Sequence, residues 1–351
     1  MNTKPLLKLM VDKQASDLFF TTFAPVKIKI DGRIVPVNKL ELTPKMVKQA
    51  AFSLMTDEQM ETFTRELEID FAISEPGLGR FRVSVFHQRG NMAMVLRYIT
   101  ADMPQLDDLG LPAVLKDLVL YKRGLILMVG AAGNGKSTTL AAMINHRNEH
   151  SASHILTIED PIEFLHPNKQ SIVNQREIGM DTHSFARALR SAMRAAPDVI
   201  LVGEIRDRET LQAAVDLAGT GHLAIATMHA NNASEALDRI VNMFPRDQHR
   251  QVLMDLAQYV RAIISQRLVR GRDSRRCAAV EVLLNTPHMS ELILKGDISA
   301  VKEALRDSSE PGMQHFDTAL HALYRAGRIS MEEALTHADS RANLEARINF
   351  G

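Results

Sequence analysis

The most constraining feature of this sequence is a glycine-rich stretch between an apolar run and an amphipathic segment. Residues 125–129, Leu-Ile-Leu-Met-Val, have the length and composition of a buried strand, and Thr138–Asn148 carries apolar side chains at helical spacing. Between them the chain fits G-x-x-x-x-G-K-[ST] with Gly130, Ala131, Ala132, Gly133, Asn134, Gly135, Lys136 and Ser137. The alternative is a glycine-rich surface turn. Agreement of strand, loop and helix favours a phosphate-binding loop (P-loop) instead.

A loop that runs from a buried strand into a helix N-terminus points several backbone N–H groups at one place. Glycines let the backbone wrap a phosphate closely, and the helix dipole favours the negative charge. We expect Lys136 to reach the β- and γ-phosphates, the Ser137 hydroxyl to ligate Mg²⁺, and Thr138 to complete the binding segment. The chain is therefore predicted to bind a nucleoside triphosphate.

The overall composition limits the class of protein. Lys plus Arg and Asp plus Glu both number 42 in the 351 residues, so the net charge gives no case for nucleic acid or an anionic membrane. The apolar runs are shorter than the ~20 residues of a membrane span, and the N-terminus lacks a signal-peptide pattern. A single cysteine, Cys277, excludes a disulfide framework and a cysteine-rich zinc site. We expect a cytoplasmic protein.

The residue pattern changes along the chain and predicts an α/β protein. Residues 1–100 are predicted to form a small α/β domain, with one helix from Thr43 to about Glu66. Residues 101–122, which contain Pro104, Gly110 and Pro112, are predicted to form a linker and a short helix. The boundary between the two domains is predicted near Ala101.

Residues 123–351 are predicted to form the larger domain. Apolar strands alternate there with longer helices, which is typical of a parallel sheet, and a mainly helical part follows with a hairpin near Gln266–Leu284. The predicted strands are Leu125–Val129, His154–Ile158, Val199–Val202 and Leu223–Thr227.

Acidic residues follow two of these strands. Glu204 comes directly after the third strand, where a carboxylate can hold the metal or its waters, and the alternative is an acid that caps the next turn. Glu159, Asp160 and Glu163 follow the second strand. Glu163 is our candidate for positioning the attacking water, with Glu159 and Asp160 near the metal. A solvated acidic turn is an equal alternative on spacing alone.

Histidines and arginines supply the remaining candidates. His222 begins the fourth strand and His229 closes it, and His229 is placed to contact the γ-phosphate as a neutral donor or as a cation. The alternative is a histidine with a structural role. Arg82 and Arg97, on a predicted hairpin of the first domain, are our candidates for neutralising charge on the γ-phosphate.

In their order along the chain, these motifs resemble those of the secretion-type ATPases of type II secretion and type IV pili. Residues 130–137, Thr157–Phe164, Val202–Asp207 and 220–229 are similar to the Walker A, aspartate-box, Walker B and histidine-box motifs. The resemblance covers nearly the whole chain. It implies ATP and Mg²⁺, a PAS-like N-terminal domain, a RecA-like C-terminal domain and a homohexameric ring. It also implies that Glu163 is the catalytic glutamate and that arginines of the first domain complete the site.

Within this family the chain is similar to the PilT/PilU-type branch of pilus retraction ATPases. The stretch Thr286–Gly296 lacks the Ala-Ile-Arg-Asn-Leu-Ile-Arg helix of the PilT type, and with His337–Ser340 it resembles the PilU type. Ala131 and Ala132 stand where the family usually has a Pro-Thr pair, a change that removes no phosphate ligand. The resemblance implies a PilT-like ATPase and an inner-membrane pilus platform protein as partners, and a peripheral location at the inner membrane.

Three functions follow from the sequence. The first is Mg²⁺-dependent ATP hydrolysis in a ring that powers or assists pilus retraction. The alternative is a nucleotide-binding accessory ring subunit with weak hydrolysis that acts through a PilT-like motor. The third is a RecA-like nucleic-acid translocase, which the neutral charge and the lack of a basic groove with interleaved aromatic residues disfavour. No nucleic-acid partner is therefore expected.

Overall fold

The computed structural model describes residues 2–30, 32–99, 103–273 and 275–350, and it divides into two compact units. The first unit comprises Met1–Asp102 and Glu163–Leu165, and the second comprises Met103–Ile162 and His166–Gly351. The predicted boundary near Ala101 itself lies outside the described residues. Residues 103–122, expected as a linker and a short helix, contain a short 3-10 helix and an α-helix and are part of the second unit.

The first unit is built on an antiparallel sheet of six strands. Its order is β3-β2-β1-β6-β5-β4, and every neighbouring pair is antiparallel. The strands are β1 Asp17–Phe20, β2 Pro25–Ile30, β3 Arg33–Glu41, β4 Glu68–Glu75, β5 Gly79–Gln88 and β6 Asn91–Ile99. Alternate side chains of β5, such as Phe81, Val83 and Val85, are fully buried, as expected for a sheet with one covered face.

Three helices of the first unit contribute to the same core. They are α1 Lys4–Asp12, α2 Pro44–Phe52 and α3 Asp57–Glu66. The single helix predicted from Thr43 to about Glu66 is therefore wrong. Thr43 caps α2 as expected, but Thr56 and Gln59 form a capping box that starts a second helix. Each capping side chain satisfies a backbone N–H that a continuous helix would have bonded internally.

The second unit is built on a mainly parallel sheet of seven strands. Its order is β13-β12-β7-β11-β10-β8-β9, and only the β12–β13 pair is antiparallel. The strands are β7 Gly124–Val129, β8 His154–Glu159, β9 Ile172–Glu177, β10 Val199–Val202, β11 Leu223–Met228, β12 Val260–Arg270 and β13 Arg276–Leu284. The four predicted strands are present within one residue at each end, and β9 was not predicted.

Helices cover both faces of this sheet. Leu125, Leu127 and Val129 of β7 pack toward one hydrophobic cluster, and Ile126 and Met128 pack toward another on the opposite face. The helices are α4 Val114–Val119, α5 Lys136–His150, α6 Phe185–Ala192, α7 Arg208–Gly219, α8 Ala233–Asn242, α9 His249–Tyr259, α10 Pro287–Lys295, α11 Ile298–Arg306, α12 Phe316–Arg325, α13 Met331–His337 and α14 Arg341–Phe350. The predicted α/β class, with a central sheet and a helical C-terminal part, is confirmed.

A search of the described helices finds none with the length and apolar character needed to cross a bilayer.

The core of the first unit gives a stability prediction. Phe81→Ala removes a fully buried ring, so the free energy of unfolding of this unit should fall by about 3–5 kcal/mol. Phe23→Ala is the control, because the Phe23 side chain is 69% exposed. Amide hydrogen exchange of β5 and β6 reports the stability of this unit separately. Equal effects of the two substitutions would contradict the described core.

Candidate nucleotide-binding site

Residues 130–135 join β7 to α5 and form the predicted P-loop. Gly135 caps α5 in the left-handed conformation, with φ of 78°. A Cβ at Gly130, whose φ is 153°, would lie 2.6 Å from the backbone oxygen of Gln266, and a Cβ at Gly135 would lie 2.9 Å from Gln266 Nε2. Both positions require glycine because the loop packs directly against β12.

The cationic and hydroxyl groups of the loop lie at the start of α5. Lys136 Nζ donates to the carbonyl oxygens of Gly130 at 2.7 Å and Ala131 at 3.0 Å, which holds the ammonium group over the beginning of the loop. Ser137 is exposed and Thr138 is half-buried in the first helical turn. The N–H groups of that turn have no acceptor within the helix, and with the helix dipole they attract an anion.

The exposed tip of the loop consists of Ala131, Ala132 and Gly133. Asn134, also predicted to bind nucleotide, instead directs its side chain to the sheet, because its Oδ1 accepts from the Leu268 N–H at 3.4 Å. The backbone of the loop, rather than the Asn134 side chain, is therefore presented to a phosphate.

Parallel pairing brings the predicted acidic and histidine residues to the edge of the sheet where the loop lies. Strands β7, β11, β10 and β8 are consecutive neighbours and run in the same direction, so their C-terminal ends share one edge. Glu204 and His229 follow β10 and β11, and Glu159 ends β8.

Glu204 is the centre of a charged network at this edge. Its Oε1 lies 3.0 Å from His229 Nε2, and its Oε2 accepts from Arg206 at 2.7 Å. Asp160 lies at the limit of the same network, with Oδ2 4.0 Å from Arg206. The hydrogen bond to Glu204 and its negative charge raise the pKa of the Arg206 guanidinium above its ordinary value. The structure thus brings together three of the predicted residues and adds Arg206, which the sequence interpretation did not assign a role.

Glu159, at the end of β8, is held by side chains of its own strand and of β9. Its Oε1 accepts from the Thr157 hydroxyl at 2.6 Å and from Gln175 Nε2 at 3.2 Å. Gly203 allows the end of β10 to pass close by, since a Cβ there would lie 3.2 Å from the Glu159 Cα. These contacts position the Glu159 carboxylate through the sheet, and its predicted place near a metal stays a prediction.

Glu163 is exposed and, with Phe164 and Leu165, is part of the first unit. The residue before it, Ile162, belongs to the second unit, where its N–H donates to the buried Glu177 carboxylate at 3.0 Å. The role of Glu163 in positioning the attacking water stays a prediction.

Arg82 and Arg97 lie directly opposite each other on β5 and β6 of the first unit. Arg97 Nε is 2.8 Å from the buried Asp17 carboxylate, and Arg82 is 3.8 Å from Asp70. Within the first unit both guanidinium groups therefore have carboxylate partners, and their contribution to the γ-phosphate stays a prediction.

His222 is not brought to the P-loop edge. It precedes β11, and its carbonyl oxygen accepts from the Gly124 N–H at 3.0 Å, at the start of β7. Its Nδ1 lies 3.1 Å from the Thr220 hydroxyl. The histidine at the beginning of a parallel strand and the histidine at its end lie at opposite edges of the sheet, so only His229 joins the candidate site.

Sequence reasoning also missed Gln266 of β12, which is 2% exposed. Its Nε2 donates to the Asn134 carbonyl oxygen at 2.8 Å, and its Oε1 accepts from the Thr139 hydroxyl at 2.8 Å. A signal was present, because Ser265 and Gln266 directly follow the apolar run Ala262–Ile264 within the same strand. A buried polar side chain in such a strand needs a specific partner.

The next residue, Arg267, connects the segment after His229 to the C-terminal helices. It donates to the carbonyl oxygens of Asn231 at 3.3 Å and His337 at 2.8 Å, and it forms an ion pair with Asp339 at 2.6 Å. Its guanidinium also lies 3.8 Å from the centre of the Phe316 ring. Two adjacent residues of β12 thus contact the P-loop and the C-terminal part.

Glu281, His315 and Asp339 form a polar cluster beside Arg267, in which Glu281 and His315 are buried. Each offers one donor atom within 4.8 Å of the others, as in a metal site. However, the Asp317 N–H donates to His315 Nδ1 at 3.3 Å, so a neutral His315 carries its proton on Nε2. That nitrogen faces the carboxylates of Glu281 at 3.9 Å and Asp339 at 3.6 Å. A nitrogen that carries a proton cannot ligate a metal, so the arrangement fits a cluster held by protons rather than a metal site.

Burial controls the protonation of this cluster. It raises the pKa of Glu281 from its ordinary value of 4.5 to about 7, to which the nearby Asp339 contributes, against the opposing effect of the Ala233 N–H bond. Burial also lowers the pKa of His315 below its ordinary value, against the opposing effect of nearby carboxylates.

Comparison with known proteins bears on the family of the chain. Residues 2–346 match the family described as type II/IV secretion system protein. The chain is 50% identical over 352 aligned residues to the type IV pilus ATPase PilU of Pseudomonas aeruginosa, which covers 100% of this chain and 92% of that protein. It is 40% identical over 334 residues to PilT, the type IV pilus retraction ATPase of the same organism, with 95% and 97% coverage.

A solved structure gives the same result for the fold. The crystal structure of the pilus retraction motor PilT with bound ADP has a TM-score of 0.92 and 39% sequence identity, and it covers 98% of this chain and 99% of that chain.

The polar cluster gives a pH prediction. Because the pKa of Glu281 is raised in the folded state, the stability that it contributes is complete below its ordinary value of 4.5 and is lost as the pH rises through about 7. The quantity to follow is the free energy of opening around β13 in the wild-type protein minus that in Glu281→Gln. This difference should fall by about 3 kcal/mol between about pH 5 and about pH 8.

The buried Cys277 thiol, on the same strand, provides the measurement. Its rate of thiol labelling is compared between the two proteins at each pH, so the titration of the thiol itself cancels. His315 is present in both proteins, so its own titration is part of both measurements. A labelling ratio that does not change with pH would contradict the raised pKa.

Proposed function

Since the chain belongs to the type II/IV secretion system protein family and is an ATPase, we propose that it hydrolyses ATP with Mg²⁺ in a hexameric ring that powers or assists type IV pilus retraction. Its fold is an N-terminal sheet domain followed by a RecA-like ATPase domain with a helical C-terminal part. The relatives named PilU and PilT are type IV pilus ATPases, and they support the assignment to pili.

One observation carries the catalytic part of this proposal. The P-loop with Lys136 and the Glu204–His229 pair lie at the same edge of one parallel sheet. The loop amides and Lys136 bind the β- and γ-phosphates of ATP, while charged side chains from the neighbouring strands face the reacting end. A surface turn rich in glycine would not be accompanied by these groups.

The residues at this edge fit Mg²⁺, which prefers oxygen ligands and keeps several waters. The Ser137 hydroxyl is exposed in the first turn of α5 and would be the direct protein ligand. Both Glu204 carboxylate oxygens already accept hydrogen bonds from Arg206 and His229, so Glu204 would hold the ion through one of its waters. When bound with ATP, Mg²⁺ neutralises charge on the phosphates.

The contact with Glu204 also fixes what His229 can do. His229 presents Nε2 to the carboxylate, so the neutral ring donates its proton there and leaves Nδ1 as an acceptor. With Nε2 engaged by Glu204, Nδ1 is the ring nitrogen of His229 that remains for the γ-phosphate. Glu163 positions the attacking water, and Arg82 and Arg97 neutralise charge on the γ-phosphate.

The proposal for partners and location rests on the resemblance to the PilT/PilU-type branch. We place the ring in the cytoplasm, peripheral to the inner membrane, where it contacts an inner-membrane pilus platform protein and works with a PilT-like ATPase. The 50% identity to PilU supports this assignment within the family.

A second function has a specific observation in its favour. Ala131 and Ala132 form the exposed tip of the P-loop, where the family usually has a Pro-Thr pair, and α10 lacks the Ala-Ile-Arg-Asn-Leu-Ile-Arg sequence. Both features suit an accessory ring subunit that binds nucleotide, hydrolyses it weakly and acts through a PilT-like motor.

Removal of the P-loop lysine tests the catalytic proposal. Lys136→Ala should lower ATP turnover at least about 100-fold, because it removes the ammonium group that the P-loop presents to the β- and γ-phosphates. The matched control is Lys122→Ala, an exposed lysine at the opposite end of β7 that should leave turnover unchanged. Phosphate release by the purified proteins provides the measurement. Full turnover by Lys136→Ala would defeat the assignment.

Substitution of Glu163 separates the motor from the accessory subunit. If the chain is itself the motor, Glu163→Gln should lower turnover about 10²- to 10⁴-fold without loss of ATP binding, because it removes the group that orients the water. Glu61→Gln, an exposed glutamate of α3, is the control.

The same assay is repeated with a PilT-like ATPase present. Equally negligible rates for the wild type and Glu163→Gln alone, with a changed rate of the partner on mixing, would favour the accessory subunit over the motor.

A further inference from the structure

We propose that Gln266 is a positioning residue that fixes the P-loop in its binding conformation before nucleotide arrives. The inference rests on the proposed nucleotide site and adds to it a residue from a distant part of the chain, since 127 positions separate Gln266 from its partner Thr139.

The side-chain amide of Gln266 spans the point where the loop becomes a helix. Its Nε2 donates to the carbonyl oxygen of Asn134, the residue before the capping Gly135, at 2.8 Å. Its Oε1 accepts from the hydroxyl of Thr139, in the first part of α5, at 2.8 Å. The bond to Thr139 is buried and the bond to Asn134 is partly buried, and together they hold the end of the loop and the first helical turn in one arrangement.

The chemistry of this position selects glutamine. A carbonyl oxygen only accepts, so the nitrogen of the side chain must face Asn134, which leaves its oxygen for the Thr139 hydroxyl. Methionine has a similar shape but leaves a buried carbonyl and a buried hydroxyl without these partners. Glutamate accepts from Thr139 but places a negative oxygen against the Asn134 carbonyl.

The backbone of β12 holds the other end of the loop. Ser265 is paired with Val129, the last residue of β7, so Gln266 stands directly beside the start of the loop. Its carbonyl oxygen occupies the space where Gly130 would carry a Cβ, at 2.6 Å. One residue therefore fixes both the first glycine of the loop and its junction with α5.

This arrangement has a consequence for nucleotide binding. The amides that face a phosphate are already oriented, so binding does not have to order them. Once a nucleotide is bound it orders the loop itself, so Gln266 acts on affinity rather than on the chemical step. Both ATP and ADP should bind more weakly when the loop is less ordered, because both carry the β-phosphate that the loop contacts.

Gln266→Met should weaken the binding of ATP and ADP about tenfold, a loss of about 1.4 kcal/mol, and leave kcat within about twofold. Gln266→Glu should weaken binding further, because its charge repels the phosphates. Fluorescent ATP and ADP analogues give the two dissociation constants, and phosphate release gives kcat and KM.

A double-mutant cycle tests whether the hydrogen bonds are responsible. Thr139→Val should weaken binding in the wild-type protein but add little in Gln266→Met, where its partner is already gone. The matched control is Gln314→Met. Gln314 donates through Nε2 to the Val280 carbonyl oxygen at 2.8 Å on β13, so it has the same kind of bond without contacting the loop.

Amide hydrogen exchange of residues 131–137 without nucleotide supplies a readout independent of the proposed function. Faster exchange there in Gln266→Met, with unchanged exchange in β7, supports the proposal even if ATP is not the ligand. The proposal is overturned if exchange and affinity equal those of the wild type, if Gln314→Met produces the same loss, or if the Thr139→Val effect is additive.

Discussion

The junction of β7 with α5 is the contact on which the other features of the second unit depend. A buried strand ends, glycines at positions 130 and 135 let the backbone approach β12, and the first turn of the helix leaves its N–H groups unpaired within the helix. The resulting field attracts anions, and Lys136 adds a full charge to it. Side chains at the ends of neighbouring strands can act on a bound phosphate because the parallel strands end at the same edge of the sheet as the loop.

The charged residues at this edge are connected to one another rather than placed singly. Glu204 is bonded by both Arg206 and His229, so a change in the charge of any one of them alters the others. On the other side of the loop, two consecutive residues of β12 contact different parts of the second unit. Gln266 contacts the loop and Arg267 contacts the C-terminal helices, which makes this strand the physical connection between them.

The sequence revealed those parts of the fold and site that depend on local pattern. The strand bounds of β10 and the P-loop follow from apolar runs and glycine spacing, which local sterics determine. Strand β9 escaped prediction because it lies at the edge of the sheet and its last four residues, Asn-Gln-Arg-Glu, are all polar. The break between α2 and α3 depends on one capping side chain at Thr56, and Gln266 acquires its role only when β12 pairs with β7. His222 and His229 share one motif, and only strand direction separates them.

The central claim is that a triphosphate binds where the loop meets α5. The most direct measurement is a crystal structure of the protein grown with a non-hydrolysable ATP analogue and Mg²⁺. The account predicts the β-phosphate within hydrogen-bonding distance of the backbone N–H groups of residues 133–137, the ion on the Ser137 hydroxyl, and Glu204 toward the waters of that ion. A nucleotide bound elsewhere on the chain, or Glu204 turned away from the phosphates, would contradict it.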